Sequence, residues 1–248
     1  MKSVKRVIFA FCALAVCFVG LAEAAKNPED IFVFDAEAED WVLKAGGEPE
    51  GTPRGGQPDL GLWFYVVNAD NDETAKGLEN GVLLYNANAK KYSFLPLDEE
   101  QRAVDMVTFS PDGRRVVVAY RLGRFSSGLS VYEMDGLTLE NTLMAYTDIY
   151  FVDHVRFAFT LIDQSVERPE AAGLWGSSAA LYEPADEKKG YVELKGATAK
   201  ESYAVMSADK KGITINITSV KTENDWEDVD SWQESEITVE VPAAGDEA

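Results

Sequence analysis

Apolar and polar residues alternate along this chain in short runs, and the three-to-four spacing of an amphipathic helix is nearly absent. The run VTFSPDGRRVVVAY, residues 107–120, sets the type: an apolar approach, a Ser-Pro-Asp-Gly turn and a β-branched segment. β-Branched side chains suit a pleated surface, and Asp and Gly suit the turn, so the pattern predicts a hairpin. YAVMSADKKGITINIT, residues 203–218, lays over it with Met206 on Phe109, Ser207 on Ser110 and Asp209 on Asp112, each 97 positions later. HVRFAFTLID, residues 154–163, stands near the midpoint and alternates similarly without the Pro-Asp-Gly turn, as a degenerate copy. One period before residue 109 lies GLWFYVVN, residues 61–68, another aromatic and β-branched run.

A second ladder of residues repeats at the same period. GVLLYNANAKKYSFLPL, LSVYEMDGLTLENTL and SAALYEPADEKKGYVEL each read strand, polar turn, strand, with Tyr85, Tyr132 and Tyr182 in the same place, 47 and 50 residues apart. IFVFDAEAEDWVLK, residues 31–44, fits with Phe34 in the tyrosine position. Two hairpins per repeat make four strands, which predicts an all-β, β-propeller-like fold of four or five four-stranded antiparallel blades of about 48 residues. The N-terminal strands are expected to close the ring by completing the sheet begun at the C-terminus, which would hide its exposed edges. An open stack closed only by dimerisation is the structural alternative.

VTFSPDGRRVVVAY resembles the repeat of periplasmic Tol-type propellers. LSVYEMDGLTLENTL resembles the hairpins of YVTN-type propellers, which include lactonases and surface-layer proteins. The similarity spans most of residues 31–241 and implies a fold, not a chemistry. A WD dipeptide signature, a double-glycine kelch pattern and a sialidase-type Asp box are all missing from the sequence.

Residues 1–24 change the picture of compartment. Lys2, Lys5 and Arg6 precede an apolar stretch at residues 7–21 and the small-x-small run Ala22-Glu23-Ala24, the layout of a secretory signal peptide. The stretch is shorter than the roughly 20 residues that span a bilayer as a helix. Cys17 would suit a lipoprotein, but Val16 stands where a small residue is wanted. The expectation is a periplasmic or secreted protein without stable membrane insertion, made of a single domain over residues 25–242 and an acidic disordered tail over residues 243–248. Both cysteines, Cys12 and Cys17, fall inside the leader, so the exported chain would carry no disulfide and no thiol chemistry.

The net charge is −20, and it becomes −22 once a leader with three basic residues and one acidic one is removed. Such a surface repels phosphate backbones and anionic headgroups, which disfavours nucleic acid and membranes as partners and favours cations or a basic protein or peptide.

The chain has one histidine, His154, with no serine in a nucleophile-elbow context, so a structural or surface histidine is favoured over a hydrolytic triad, and multi-histidine metal sites are excluded. NADNDETAKGLE, residues 68–79, sets Asn68, Asp70, Asp72 and Glu79 at positions 1, 3, 5 and 12 of an EF-hand-like loop, although position 6 is Glu73 rather than Gly. Calcium is the one cofactor this spacing suggests; a solvated acidic connection is the plainer reading. TENDWEDVDSWQESE, residues 222–236, mixes Trp226 and Trp232 with seven carboxylates, among them Asp228 and Asp230. Together with Arg121 and Arg124 in RLGRFSSG and Trp175 in the connection 163–178, these residues form the candidate binding surface, because such second-to-third-strand connections leave a propeller at one end. The functional expectation is therefore an exported, non-catalytic binding or scaffold protein whose loop end recognises a protein or peptide. The alternative is a calcium-dependent hydrolase of a small ester or lactone, as the lactonase resemblance implies.

Overall fold

The computed structural model describes residues 28–35, 37–38, 40–44, 54–67, 79–97, 103–124, 126–184 and 189–244. After a single helical turn at Pro28–Ile31, every long element is a strand. A hairpin of β1 (Phe32–Asp35) and β2 (Asp40–Leu43) comes first. The first four-stranded sheet follows, with β3 (Arg54–Gln57), β4 (Leu62–Val67), β5 (Gly81–Asn86) and β6 (Lys91–Pro96) in sequential order. The second sheet holds β7 (Ala103–Phe109), β8 (Arg115–Arg121), β9 (Ser127–Glu133) and the start of β10 (Thr138–Phe151).

The long strand β10 belongs to two sheets. Residues 138–144 pair with β9, and after an irregularity residues 145–151 pair with β11 (Phe157–Glu167). No Gly or Pro stands within β10 to force a turn, so the strand bends across from one sheet to the next instead of breaking. Its second half, β11, β12 (Trp175–Tyr182) and β13 (Tyr191–Lys195) form the third sheet. Among the described residues the last sheet has three strands, β14 (Glu201–Ala208), β15 (Gly212–Ser219) and β16 (Gln233–Glu240).

Four apolar layers join these sheets in series, and the period-2 alternation of each strand feeds the layers on both its sides. Phe32 and Trp41 of the hairpin bury against Tyr65, Val67 and Leu83 of the first sheet. The other face of that sheet, with Leu62, Val66, Val82 and Leu84, meets Val116, Val118 and Tyr120. On β8 the intervening Val117 and Ala119 face the third sheet, where Phe157 stacks on Tyr182 at 4.7 Å and 12°. Ala158, Ala179 and Leu181 turn the opposite way and meet Val205, Ile213 and Ile215 of the last sheet. Each fully buried Val or Ile removed from water contributes about 1.5–3 kcal/mol, so the repeated alternation is itself the main source of cohesion.

The fold is that of β-propeller blades, as the repeat predicts. Tyr85, Tyr132 and Tyr182 all fall at the ends of third strands, and Phe34 occupies the matching place on β1. Ring closure by the N-terminal strands is not seen. Among the described residues β1 and β2 pair only with each other, and β16 pairs only with β15. The outward face of the last sheet gives the reason: Thr214, Asn216 and Thr218 stand opposite Thr238, Glu236 and Glu234. Such a row cannot bury the aromatic hairpin, whose Phe32 and Trp41 are satisfied by the first sheet instead. A polar outer face of this kind ends a stack.

Turn chemistry is shared more widely than the Pro-Asp-Gly motif. Asp153 Oδ1 accepts from the amides of Val155 and Arg156 at 2.8 and 2.7 Å, and Asp209 Oδ1 accepts from Lys211 and Gly212 at 2.7 and 3.0 Å. Residues 152–156 thus form the turn between β10 and β11, with His154 exposed at its tip. The 97-residue overlay also needs one adjustment. Met206 lies at a bulge and is half exposed, whereas Phe109 is buried, so the two are not equivalent.

Candidate functional site

Among the described residues, the connections between second and third strands in the second, third and last sheets lie together at one end. Arg124, between β8 and β9, pairs with Glu170, between β11 and β12, at 2.9 Å. From the same β11–β12 connection Arg168 reaches the loop that precedes β16: its guanidinium lies 4.5 Å from the centre of the Trp226 ring. Arg168 donates to the carbonyls of Glu167, Thr198 and Glu201 and is 8% exposed, and its burial pulls its pKa down.

Two short 3-10 turns, Glu223–Glu227 and Val229–Ser231, shape the acidic loop. Thr222 and Asp225 close the start of the first with a reciprocal capping box, which gives partners to N-terminal amides that the turn itself leaves free. Trp226 drops inward, donates from Nε1 to the Ala199 carbonyl at 2.9 Å and packs edge-on against Trp232 at 5.5 Å. Arg168 Nε and Trp232 Nε1, both shielded from solvent, have no hydrogen-bond partner among the described residues.

The predicted residues therefore divide. Trp226 is buried structure, Trp232 is half-buried beside it, and Asp228 and Asp230 stay exposed, with Asp228 accepting from the Asp230 amide. Arg121 pairs with Asp105 at 2.9 Å on the neighbouring strand, and Trp175 opens β12 half-buried. Glu234 and Glu236 are not loop residues; they stand on β16. Of the calcium candidates, Asn68, Asp70 and Asp72 lie outside the described residues, and Glu79 is exposed just ahead of β5. Among the described residues no cluster of three or more His, Cys, Asp or Glu could hold a metal, and no helix is long and apolar enough to cross a membrane. Arg168 was missed by sequence reasoning; an arginine beside Pro169 in an acidic chain was its only signal.

A further feature is the side of β16 that, from the sequence, the N-terminal strands are expected to cover. Among the described residues the three preceding sheets end in a fourth strand, β6, β10 or β13, with β10 shared by two of them, whereas the last sheet stops at the third. Ile237 and Val239 face inward beside Ile215 and Ile213, while Glu234, Glu236 and Glu240 point to the outer face and are exposed. Both ends of the strand are tied down. The Trp226 loop leads into it, and beyond it Arg156 donates to the Pro242 carbonyl at 2.8 Å while pairing with Asp153 at 2.7 Å. An edge strand turns the N–H and C=O of every second residue outward, ready to pair with another strand.

No protein-family model matches the chain, and no curated protein matches it. Among solved structures it is similar to a prolyl endopeptidase (14% identity, TM-score 0.49, 66% of this chain and 25% of that one). It is also similar to the β-propeller domain of the Trilobed protease from Pyrococcus furiosus (6% identity, TM-score 0.48, 81% and 57%) and to TolB from Acinetobacter baumannii (10% identity, TM-score 0.34, 76% and 45%). The chain thus spans a quarter of the prolyl endopeptidase and just over half of the Trilobed protease domain. An acylaminoacyl peptidase from Pyrococcus horikoshii and a post-proline cleaving enzyme from Rickettsia typhi are similar as well. The resemblance to Tol-type propellers holds at the level of fold. The expected non-catalytic scaffold working through its loop end, with its lactone-hydrolase alternative, is corrected: the first similar structure and several others are peptide-cleaving proteins. At that end Trp226 is buried under Arg168, Arg121 and Arg124 are ion-paired within the chain, and Asp228 and Asp230 stay exposed.

Proposed function

We propose that this chain is a polypeptide-handling propeller-like module that takes up an extended segment as the missing fourth strand of its last sheet, along β16. The observation that carries the reading is the strand count among the described residues: with β10 shared between the second and third sheets, each of the three preceding sheets has a fourth strand and the last has three, with β16 paired on one side alone along its eight residues. Strand addition draws its affinity from main-chain hydrogen bonds, so it suits segments of varied sequence. Anchoring β16 at both ends lowers the ordering cost that binding must otherwise meet.

The test uses a blocked eight-residue peptide alternating Thr and Val, and the same peptide N-methylated at every second residue. Methylation removes the ladder donors while keeping the side chains. The plain peptide is expected to bind and to slow amide exchange in β16, and the methylated one to fail. Equal binding of the two, or protection confined to the loop 220–232, would sink the reading.

A further inference from the structure

We infer that the segment accepted along β16 is a strand with Lys or Arg at alternate positions, selected by the row Glu234, Glu236 and Glu240. The inference rests on the strand-addition reading and adds the chemistry of the occupant. In antiparallel pairing with β15 these three residues share one face, opposite Thr218, Asn216 and Gly212, and all three are exposed. Nothing cationic on β15 answers them: the facing strand offers Thr214, Asn216 and Thr218. No ion pair joins the three to another described residue. A strand laid on the free side of β16 would place every second side chain on the same face as this row, at cross-strand distance. There opposite charges stabilise and like charges repel. The other side chains of that strand would fall beside Ile237 and Val239, which are only partly covered and belong to the last apolar layer. The occupant is thus amphipathic in the period-2 sense, basic on one face and apolar on the other.

The same row argues against a second copy of this chain. Two β16 strands paired antiparallel would bring glutamate rows together, and the whole chain carries −20, so self-pairing is opposed locally and at long range. Acidic residues on an edge strand also blunt indiscriminate pairing. A basic strand is the kind of segment for which that guard becomes an attraction.

The experiment compares three blocked eight-residue peptides, alternating Val with Lys, Thr or Glu, on the full chain and on the E234Q/E236Q/E240Q variant. On the wild type the Lys peptide is expected to bind about tenfold tighter than the Thr peptide at low salt, and the Glu peptide weakest. Raising the ionic strength should compress that ranking, because the row is exposed. The triple variant should keep the affinity for the Thr peptide and lose the preference for Lys. If Lys and Thr peptides bind the wild type alike, the charge selection is overturned while strand addition stands. If no peptide binds, both fall. A concentration-dependent dimer in sedimentation that dissociates in the T238P variant would assign the edge to a second copy and overturn the inference.

Discussion

Arg168 lies over the ring of Trp226, with its guanidinium carbon 4.5 Å from the ring centre, and this contact joins the third sheet to the loop that launches β16. The same side chain serves the carbonyls of Thr198 and Glu201. A lysine has the charge but not the planar fork, and it cannot both lie on the ring and reach two carbonyls. Arg168→Ala should lower stability by about 2–3 kcal/mol, since buried carbonyls lose their donor, and Arg168→Lys should recover less than half of that. Chemical denaturation measures both; a lysine variant as stable as the wild type would show that charge alone suffices.

The second and third sheets are tied at the opposite end through Glu140. Its Oε2 accepts from Arg115 Nε at 2.8 Å and from the Tyr182 hydroxyl at 3.0 Å. Burial, and then the charge and hydrogen bond of Glu140, push the Tyr182 phenol up. Tyr182→Phe keeps the stack on Phe157 and removes one hydrogen bond, so the expected loss is about 1 kcal/mol. A loss several times larger would mean that the phenol organises more than Glu140.

Tyr203 provides an alkaline signature. Burial, followed by the hydrogen bond to Glu201 Oε2 at 2.6 Å, pushes its pKa up to about 12. The folded state holds this proton more tightly than the unfolded chain, whose tyrosines titrate near about 10. The stabilisation is complete below that pH and is lost as pH rises through about 12. Tyr203→Phe should flatten the alkaline fall in stability, read from thermal midpoints over that range. An unchanged fall would assign it to other groups.

Two glycines should respond oppositely to alanine. Gly113 closes the Ser-Pro-Asp-Gly turn at φ +69°, and a Cβ there would meet Leu62 Cδ1 at 2.7 Å, whereas a Cβ at Gly123 meets nothing within 4 Å. Gly113→Ala is expected to cost about 1–2 kcal/mol. Gly123→Ala should be neutral or slightly stabilising, through a less flexible unfolded chain. The pair is compared by denaturant midpoints, and equal effects would contradict the turn geometry.

What the sequence made legible was whatever alternation and turn chemistry encode locally. The tyrosine ladder located third strands, and Asp112 and Asp209 marked first turns. The bend of β10 from one sheet into the next was not legible, because LENTLMAYTDIYF carries no Gly or Pro to announce it. The buried role of Trp226 was hidden by its acidic neighbours, since a capped 3-10 turn aims one side chain inward while the carboxylates stay wet. Ring closure, not seen among the described residues, was not legible for a different reason. Counting strands supplied an edge at each end of the chain, but whether those ends meet depends on their faces, and the Thr-Asn-Glu face of the last sheet does not match the aromatic hairpin.

The central claim is that the last sheet ends in an open, well-ordered edge at β16. Residue-resolved amide exchange of the protein alone tests it most directly. The amides of β16 should alternate, protected where they bond to β15 and fast where they face outward, while β15, flanked by β14 and β16, should be protected throughout. Uniform protection along β16 would contradict the claim, because it would mean that another strand already covers the edge.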